Sequence, residues 1–241
     1  MFGFALVLFR TLGLFTAAPI LGARMVPTRA RLALSLVAAL AAFTGAGMPT
    51  VPPPAQFLAL ALAVSAETVM GLLAGLAARF VLDAAQAAGQ TAGLSMGLGF
   101  GALIDPASGA ESTEMGQLMG LIALGAAVAT GLHREAISWL AASVHTFPPG
   151  GDLGLSALLA HGVAQSMTAI GLAVRITYPL LAAVTLGHLT LGAISRAAPT
   201  FNLSSVGFSV AILAGGAAIF LVTPPAAQLC AQAALNAFPT R

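Results

Sequence analysis

Apolar runs of membrane-spanning length recur along this chain, and short breaks separate them rather than polar domains. Eight can be marked, at residues 2–21, 32–48, 57–78, 84–104, 115–132, 157–174, 176–194 and 206–222. A helix crosses the hydrocarbon core with about 20 residues. In lipid every backbone N–H and C=O must be satisfied internally, which makes the helix the default. Residues 136–147 are too short to span and are expected to be interfacial or re-entrant. Only 7% of the residues are charged, against about 25% in soluble domains, so water cannot be the solvent for most of this surface. The expected fold class is therefore all-α: one domain of 241 residues, embedded in a bilayer or in the apolar flank of a membrane complex.

The breaks are built from residues that stop helices or avoid lipid. Residues 22–31 carry Arg24, Arg29 and Arg31 with Pro27 and no acid, which favours a cytoplasmic loop. Arg79 and Arg134 follow two other runs, although Asp83 and Glu135 stand close by. Pro49, Pro52, Pro53 and Pro54 break residues 48–54, and "DPASGAES" (105–112) and "FPPGGD" (147–152) read as turns. "SRAAPTFN" (195–202) interrupts the last long apolar region, and Pro224-Pro225 are expected to end it. The first run has Arg10 in its middle and no basic residues before it, so it reads as a retained segment rather than a signal peptide.

Charge inside apolar runs is costly, about 2.5–3.5 kcal/mol at mid-bilayer on the insertion scale. Arg10, Glu67 and Arg175 lie within or between such runs. Groups of this kind face a bundle interior, a partner or water. Structural pairing is the expected use here, with an ion path as the alternative. Gly89-x-x-x-Gly93-x-x-x-Gly97 places small residues on one helix face, which in a membrane permits close packing on another helix.

Several patterns resemble enzyme motifs without the context those motifs need. Gly97-x-Gly99-x-x-Ala102 fits the dinucleotide spacing, but a helical segment precedes it where a strand is required. Gly93-Leu94-Ser95-Met96-Gly97 fits the serine-nucleophile elbow, which needs a strand-to-helix turn. An intramembrane serine hydrolase using Ser95 with a histidine from a facing helix remains an alternative. His133, His145, His161 and His188 show no metal-ligand spacing. The lone Cys230 cannot form an internal disulfide, and a net charge of +2 is too small to suggest nucleic acid. No catalytic, cofactor or metal residue is expected.

Four stretches carry a resemblance. "FRTLGLFTAAPILGARMVPTRARLALS" (9–35) contains Arg10, Ala18-Pro19-Ile20 and Pro27 followed by basic residues. "AAGQTAGLSMGLGFGALIDPAS" (87–108) contains Gly89, Gly93, Met96-Gly97 and Asp105-Pro106. "HREAISWLAASVHTFPPGG" (133–151) places an amphipathic helix between a histidine and a Pro-Gly turn. "ISRAAPTFNLSSVGFSVAI" (194–212) contains Arg196, Pro199, Asn202, Gly207 and Phe208. In this order they resemble the FliR family, export-gate proteins of the flagellar type III secretion apparatus.

The resemblance implies a non-enzymatic subunit of hydrophobic helical hairpins in the bacterial inner membrane, within the flagellar basal body. Residues 1–175 would be a FliP-like part and residues 176–241 a FliQ-like hairpin. The implied partners are FliP-like and FliQ-like subunits, an FlhB-like protein, membrane lipid and unfolded export substrates. Arg10, Pro19, Glu67, Gly89, Gly93, Arg196, Pro199, Gly207 and Phe208 would serve helix packing and assembly. The resemblance also implies a plug in a narrow bore, formed by Gly97, Gly99, Phe100, Gly101 and Leu103. Read without it, Phe100 packs in a helix interface. A small-solute or ion transporter is the rival function.

Overall fold

The computed structural model describes residues 1–20, 22, 26–98, 113–151, 155–197 and 203–238. Among these the chain is all-helical: α1 (Phe2–Ala17), α2 (Thr28–Gly45), α3 (Phe57–Ser95), α4 (Glu114–Ala129), α5 (Leu132–Thr146), α6 (Leu155–Ala197) and α7 (Leu203–Leu235). Two compact units are present, each assembled from separated stretches. Unit 1 is Met1–Val81, Ala127–Thr168 and Gln232–Arg241, and unit 2 is Leu82–Ala126 and Ala169–Ala231.

In unit 1, α2 packs on α1 and on α5. The core is made by Leu6, Leu14 and Phe15 of α1, Ala39 of α2, Met70 of α3 and Leu140 of α5. α1 stops at Ala17 because Pro19 follows: Ala18, the residue before the proline, is extended at φ −57°, ψ 138°. Its 16 residues reach about 24 Å at 1.5 Å per residue, less than the expected run 2–21 and short of the hydrocarbon thickness. In unit 2, Ala85, Ala88 and Ala92 of α3 are buried, with Met119 of α4, Leu180 of α6 and Cys230 of α7.

Several expected breaks are absent. The runs 57–78 and 84–104 are joined in α3, which continues through Arg79 and Asp83 and stops at Ser95. A charged pair four residues apart is compatible with a helix and breaks nothing. The runs 157–174 and 176–194 are likewise one helix, α6, with Arg175 in its middle and Pro179 inside it. Pro224-Pro225 do not end α7, which runs on to Leu235. Each proline removes an i−4 hydrogen bond, here to the carbonyls of Phe220 and Leu221. The Thr223 hydroxyl donates to the Ile219 carbonyl at 2.6 Å, one residue before that gap.

The run 115–132 is divided. α4 ends at Ala129, Gly131 adopts φ +95°, and α5 departs at a bend of 60°. The stretch expected at 136–147 is thus the body of α5, beginning at Leu132. Among the described residues three helices are long and apolar enough to cross a membrane: Phe57–Ser95, Ser156–Arg196 and Ser209–Leu235. The bent pair α4–α5 raises this to four if it is one broken span. Against eight expected spans, the two mergers remove two, and α1, α2 and α4, none of which qualifies as a span by itself, account for the rest.

Candidate assembly and gating site

A buried polar knot organises unit 1. Arg10 of α1 and Glu67 of α3 are both 0% exposed. Arg10 Nε donates to Glu67 Oε2 at 2.7 Å. Its Nη1 donates to the Ser143 carbonyl at 2.9 Å and to Ser143 Oγ at 3.1 Å. Its Nη2 donates to the Phe147 carbonyl at 2.9 Å, at the end of α5. The other carboxylate oxygen, Glu67 Oε1, accepts from the Gly150 amide at 3.1 Å. The guanidinium fork, with donors in fixed directions, therefore ties α1, α3, α5 and the Pro-Gly turn together. Among the described residues no buried side-chain polar atom lacks a hydrogen-bond partner. That is the condition for keeping a charge pair out of water.

The knot is reached because α1 and α3 touch backbone to backbone. A Cβ on Gly71 would fall on the Arg10 carbonyl and 2.8 Å from the Leu14 amide nitrogen. A Cβ on Gly75 would stand 2.7 Å from the Leu14 carbonyl, and one on Gly13 2.9 Å from the Leu72 amide nitrogen. Glycine is required at this crossing for space. Gly71-x-x-x-Gly75 is a small-residue pair of the kind that packs membrane helices. This pair is the sequence signal for the crossing, missed when attention falls on the Gly89/Gly93/Gly97 series alone. Nothing in the sequence marks Ser143 and Phe147 as partners of Arg10, or Gly150 as a partner of Glu67, since three of the four contacts there are through backbone atoms.

Gly89 and Gly93 pack on α4 of this same chain. A Cβ on Gly89 would lie 2.6 Å from the Met115 carbonyl, and one on Gly93 2.8 Å from Thr113 Oγ1. Thr113 precedes α4 and accepts from the Gly116 amide at 3.2 Å, an N-cap contact. Directly beyond Gly93, α3 ends in a Schellman turn. The Leu98 amide bonds to the Gly93 carbonyl at 2.9 Å and the Gly97 amide to the Leu94 carbonyl at 3.0 Å, with Gly97 at φ +81°. Gly97 has the conformation that favours glycine. Gly99, Phe100, Gly101 and Leu103 lie outside the described residues, as does Pro199. Ser95 is the last residue of α3 and donates to the Ala92 carbonyl at 2.7 Å. It sits at a helix C-terminus and not at the strand-to-helix turn of a nucleophile elbow.

The remaining residues are dispersed. Pro19 lines an apolar cavity of about 350 Å³ in unit 1, with Phe15, Val37, Leu132, Ile137 and Phe238. Arg196 is exposed in the last turn of α6, where a cation suits the helix dipole. Gly207 and Phe208 are in α7, Gly207 half-buried with Leu191 Cδ1 3.9 Å from a built Cβ. Among the described residues no group of three or more histidine, cysteine or carboxylate side chains could hold a metal.

The family model described as "Bacterial export proteins, family 1" matches residues 1–237. This chain belongs to the FliR family of flagellar export proteins. It is 32% identical over 228 residues to the flagellar biosynthetic protein FliR of Escherichia coli (strain K12), covering 92% of this chain and 85% of that one. It is 28% identical over 217 residues to the FliR protein of Bacillus subtilis (strain 168), covering 87% and 81%. Family membership and the apolar helices make this a membrane protein of the flagellar export apparatus.

Proposed function

We propose that this subunit builds and gates the flagellar protein-export pore of the bacterial inner membrane. It does so with FliP-like and FliQ-like subunits and an FlhB-like protein, and without chemistry of its own. The observation that carries the proposal is family membership over residues 1–237. Residues 1–175 are assigned the FliP-like role and residues 176–241 the FliQ-like hairpin. Arg10, Pro19, Glu67, Gly89, Gly93, Arg196, Pro199, Gly207 and Phe208 serve packing and assembly. Three features support an assembled rather than solitary state. Two of the apolar helices are about twice as long as the hydrocarbon is thick, their outward faces are apolar, and a fully buried ion pair makes unit 1 rigid.

The gating element is the segment that follows the glycine-terminated end of α3. Gly97 turns the chain, Gly99 and Gly101 leave the backbone free to move aside, and Phe100 with Leu103 obstructs the bore. Apolar side chains in a narrow channel exclude water and ions by dewetting. The test is deletion of residues 99–103 in the assembled complex. The expected result is ion leakage through membranes carrying the complex, at unchanged complex yield. Unchanged permeability removes the plug assignment.

A further inference from the structure

α2 meets the rest of unit 1 along one seam, made by its buried residues Ser35, Ala39 and Ala42. Beside that seam Leu34, Val37, Ala38 and Ala41 recur at i, i+3, i+4 and i+7, so they share one helix face. This face does not close on its neighbours. Between it, the chain leaving α1 and the first turns of α5 lies the apolar cavity of about 350 Å³. Phe15, Leu132 and Phe238 also line the cavity and are 2%, 1% and 3% exposed. His133, in the first turn of α5, is the one lining side chain that carries a polar atom.

The lining restricts what can fill this space. A peptide segment brings an N–H and a C=O with nearly every residue, and each needs a partner when it leaves water. The lining side chains other than His133 supply none. A methylene chain has no polar group along its length, and it restores the dispersion contacts that an empty cavity forfeits. Charge stands at one end of the same wall. Arg31 precedes Leu34 by three residues and Ala38 by seven, on the same side of α2. Arg29 is exposed in the first turn of α2, and residues 22–31 contain no acid. Arg31 and Ala41 are ten residues apart, about 15 Å of helix at 1.5 Å per residue. Half of a hydrocarbon core about 30 Å thick is the same length. A cation followed by one leaflet's depth of apolar wall complements a phosphate followed by an acyl chain. The guanidinium fork pairs with phosphate through two parallel N–H bonds. These arginines also favour the cytoplasmic side, where the leaflet surface is negatively charged.

We propose that this cavity holds one acyl chain of an anionic phospholipid of the cytoplasmic leaflet, whose phosphate sits on Arg29 and Arg31. The ring of His133 serves an ester oxygen of the same lipid. The chain fills the space between α2 and the α1–α5 corner and completes the packing of α2 on unit 1. The proposal needs only that this protein sits in a membrane, and it does not depend on the gating role.

The test uses the full tagged chain, extracted in mild detergent with whatever subunits accompany it and reconstituted into phosphatidylcholine vesicles. The vesicles carry a trace of phosphatidylglycerol or of phosphatidylcholine with a diazirine at the end of one acyl chain. On irradiation the diazirine loses N2, and the carbene inserts into a neighbouring C–H bond and marks what the tail touches. Mass spectrometry should find the label in the peptides that carry Phe15, Leu132 and Phe238, which lipid around the outside of the protein does not reach. Each arginine beside an anionic lipid is worth about fivefold, so phosphatidylglycerol should label these residues at least about tenfold more than phosphatidylcholine. Arg29→Gln, at an exposed position, should lower that preference about fivefold, and Arg29→Gln with Arg31→Gln should abolish it. Ala41→Phe puts a ring into the cavity from an exposed wall position and should lower the label at Phe238 from either lipid. Excess unlabelled phosphatidylglycerol should displace the probe, and inorganic phosphate should not. Label confined to exposed residues such as Leu32 and Leu40 overturns the proposal, because the cavity is then closed or filled by protein. Equal label from the two lipids, or displacement by inorganic phosphate, overturns it as well. None of these results touches the export-gate reading, which fails separately if the wild-type chain enters no complex.

Discussion

Neutralising Glu67 isolates the energetics of unit 1. In Glu67→Gln the side chain keeps its shape and can still accept from the Gly150 amide, but the guanidinium of Arg10 loses its counter-charge. Arg10 is 0% exposed, and its remaining partners are the Ser143 carbonyl and hydroxyl and the Phe147 carbonyl, all neutral. Removing one member of a buried pair costs about 3–5 kcal/mol, whereas an exposed pair is worth about 0–1 kcal/mol. For a chain of this size each kcal/mol moves Tm by about 2–4 °C, so the expected loss is roughly 6–20 °C. The chain has a single tryptophan, Trp139, 7% exposed on α5 one turn before Ser143. Its fluorescence during heating in detergent reports the corner that the knot holds. The double variant Arg10→Met, Glu67→Leu removes both charges and orphans only neutral backbone groups. It should be less destabilised than the two single changes together, by about 2–3 kcal/mol of coupling. A Glu67→Gln shift within about 2 °C, or strict additivity in the double variant, would refute the claim that the pair is buried and coupled.

Three further perturbations separate space, conformation and packing. Gly71→Ala should cost about 1–3 kcal/mol or more, because its Cβ meets backbone of α1. Gly125→Ala, on an exposed helical site with nothing within 4 Å, should be neutral or stabilise by up to about 1 kcal/mol. The same thermal assay compares them, and equal effects would contradict the close crossing. Gly97→Ala should cost about 1–2 kcal/mol through its positive φ and speed amide exchange at Met96 and Leu98, with no change at α1. Phe238→Ala should cost about 3–5 kcal/mol. The ring is 3% exposed and its centroid lies 6.3 Å from that of Trp139, so an unshifted tryptophan emission would show that this packing is absent.

The all-helical character was readable because apolar runs of this length admit little else, and the buried use of Arg10 and Glu67 followed from the cost of charge in an apolar run. Helix boundaries were less readable, for a consistent reason. Arg79 and Arg175 stand between runs that the sequence divides, and Pro224-Pro225 at the expected end of the last, yet charge does not interrupt a helical hydrogen-bond ladder, and α7 accommodates two prolines. Gly97 and Gly131 were the true punctuation, and each has positive φ. The knot's other half was invisible in sequence because Ser143, Phe147 and Gly150 contribute mainly backbone atoms, which every residue type possesses. The proposed plug residues 99–103 rest on the family resemblance, and they lie outside the described residues.

The central claim is that this chain works only as part of a gate. The most direct measurement is the mass of the complex obtained when the tagged chain is co-expressed with FliP-like and FliQ-like subunits and extracted in mild detergent. The expected result is one defined assembly containing this chain and several copies of both partners. A chain that purifies alone, stays folded, and moves a small solute or ion across vesicles by itself would contradict it.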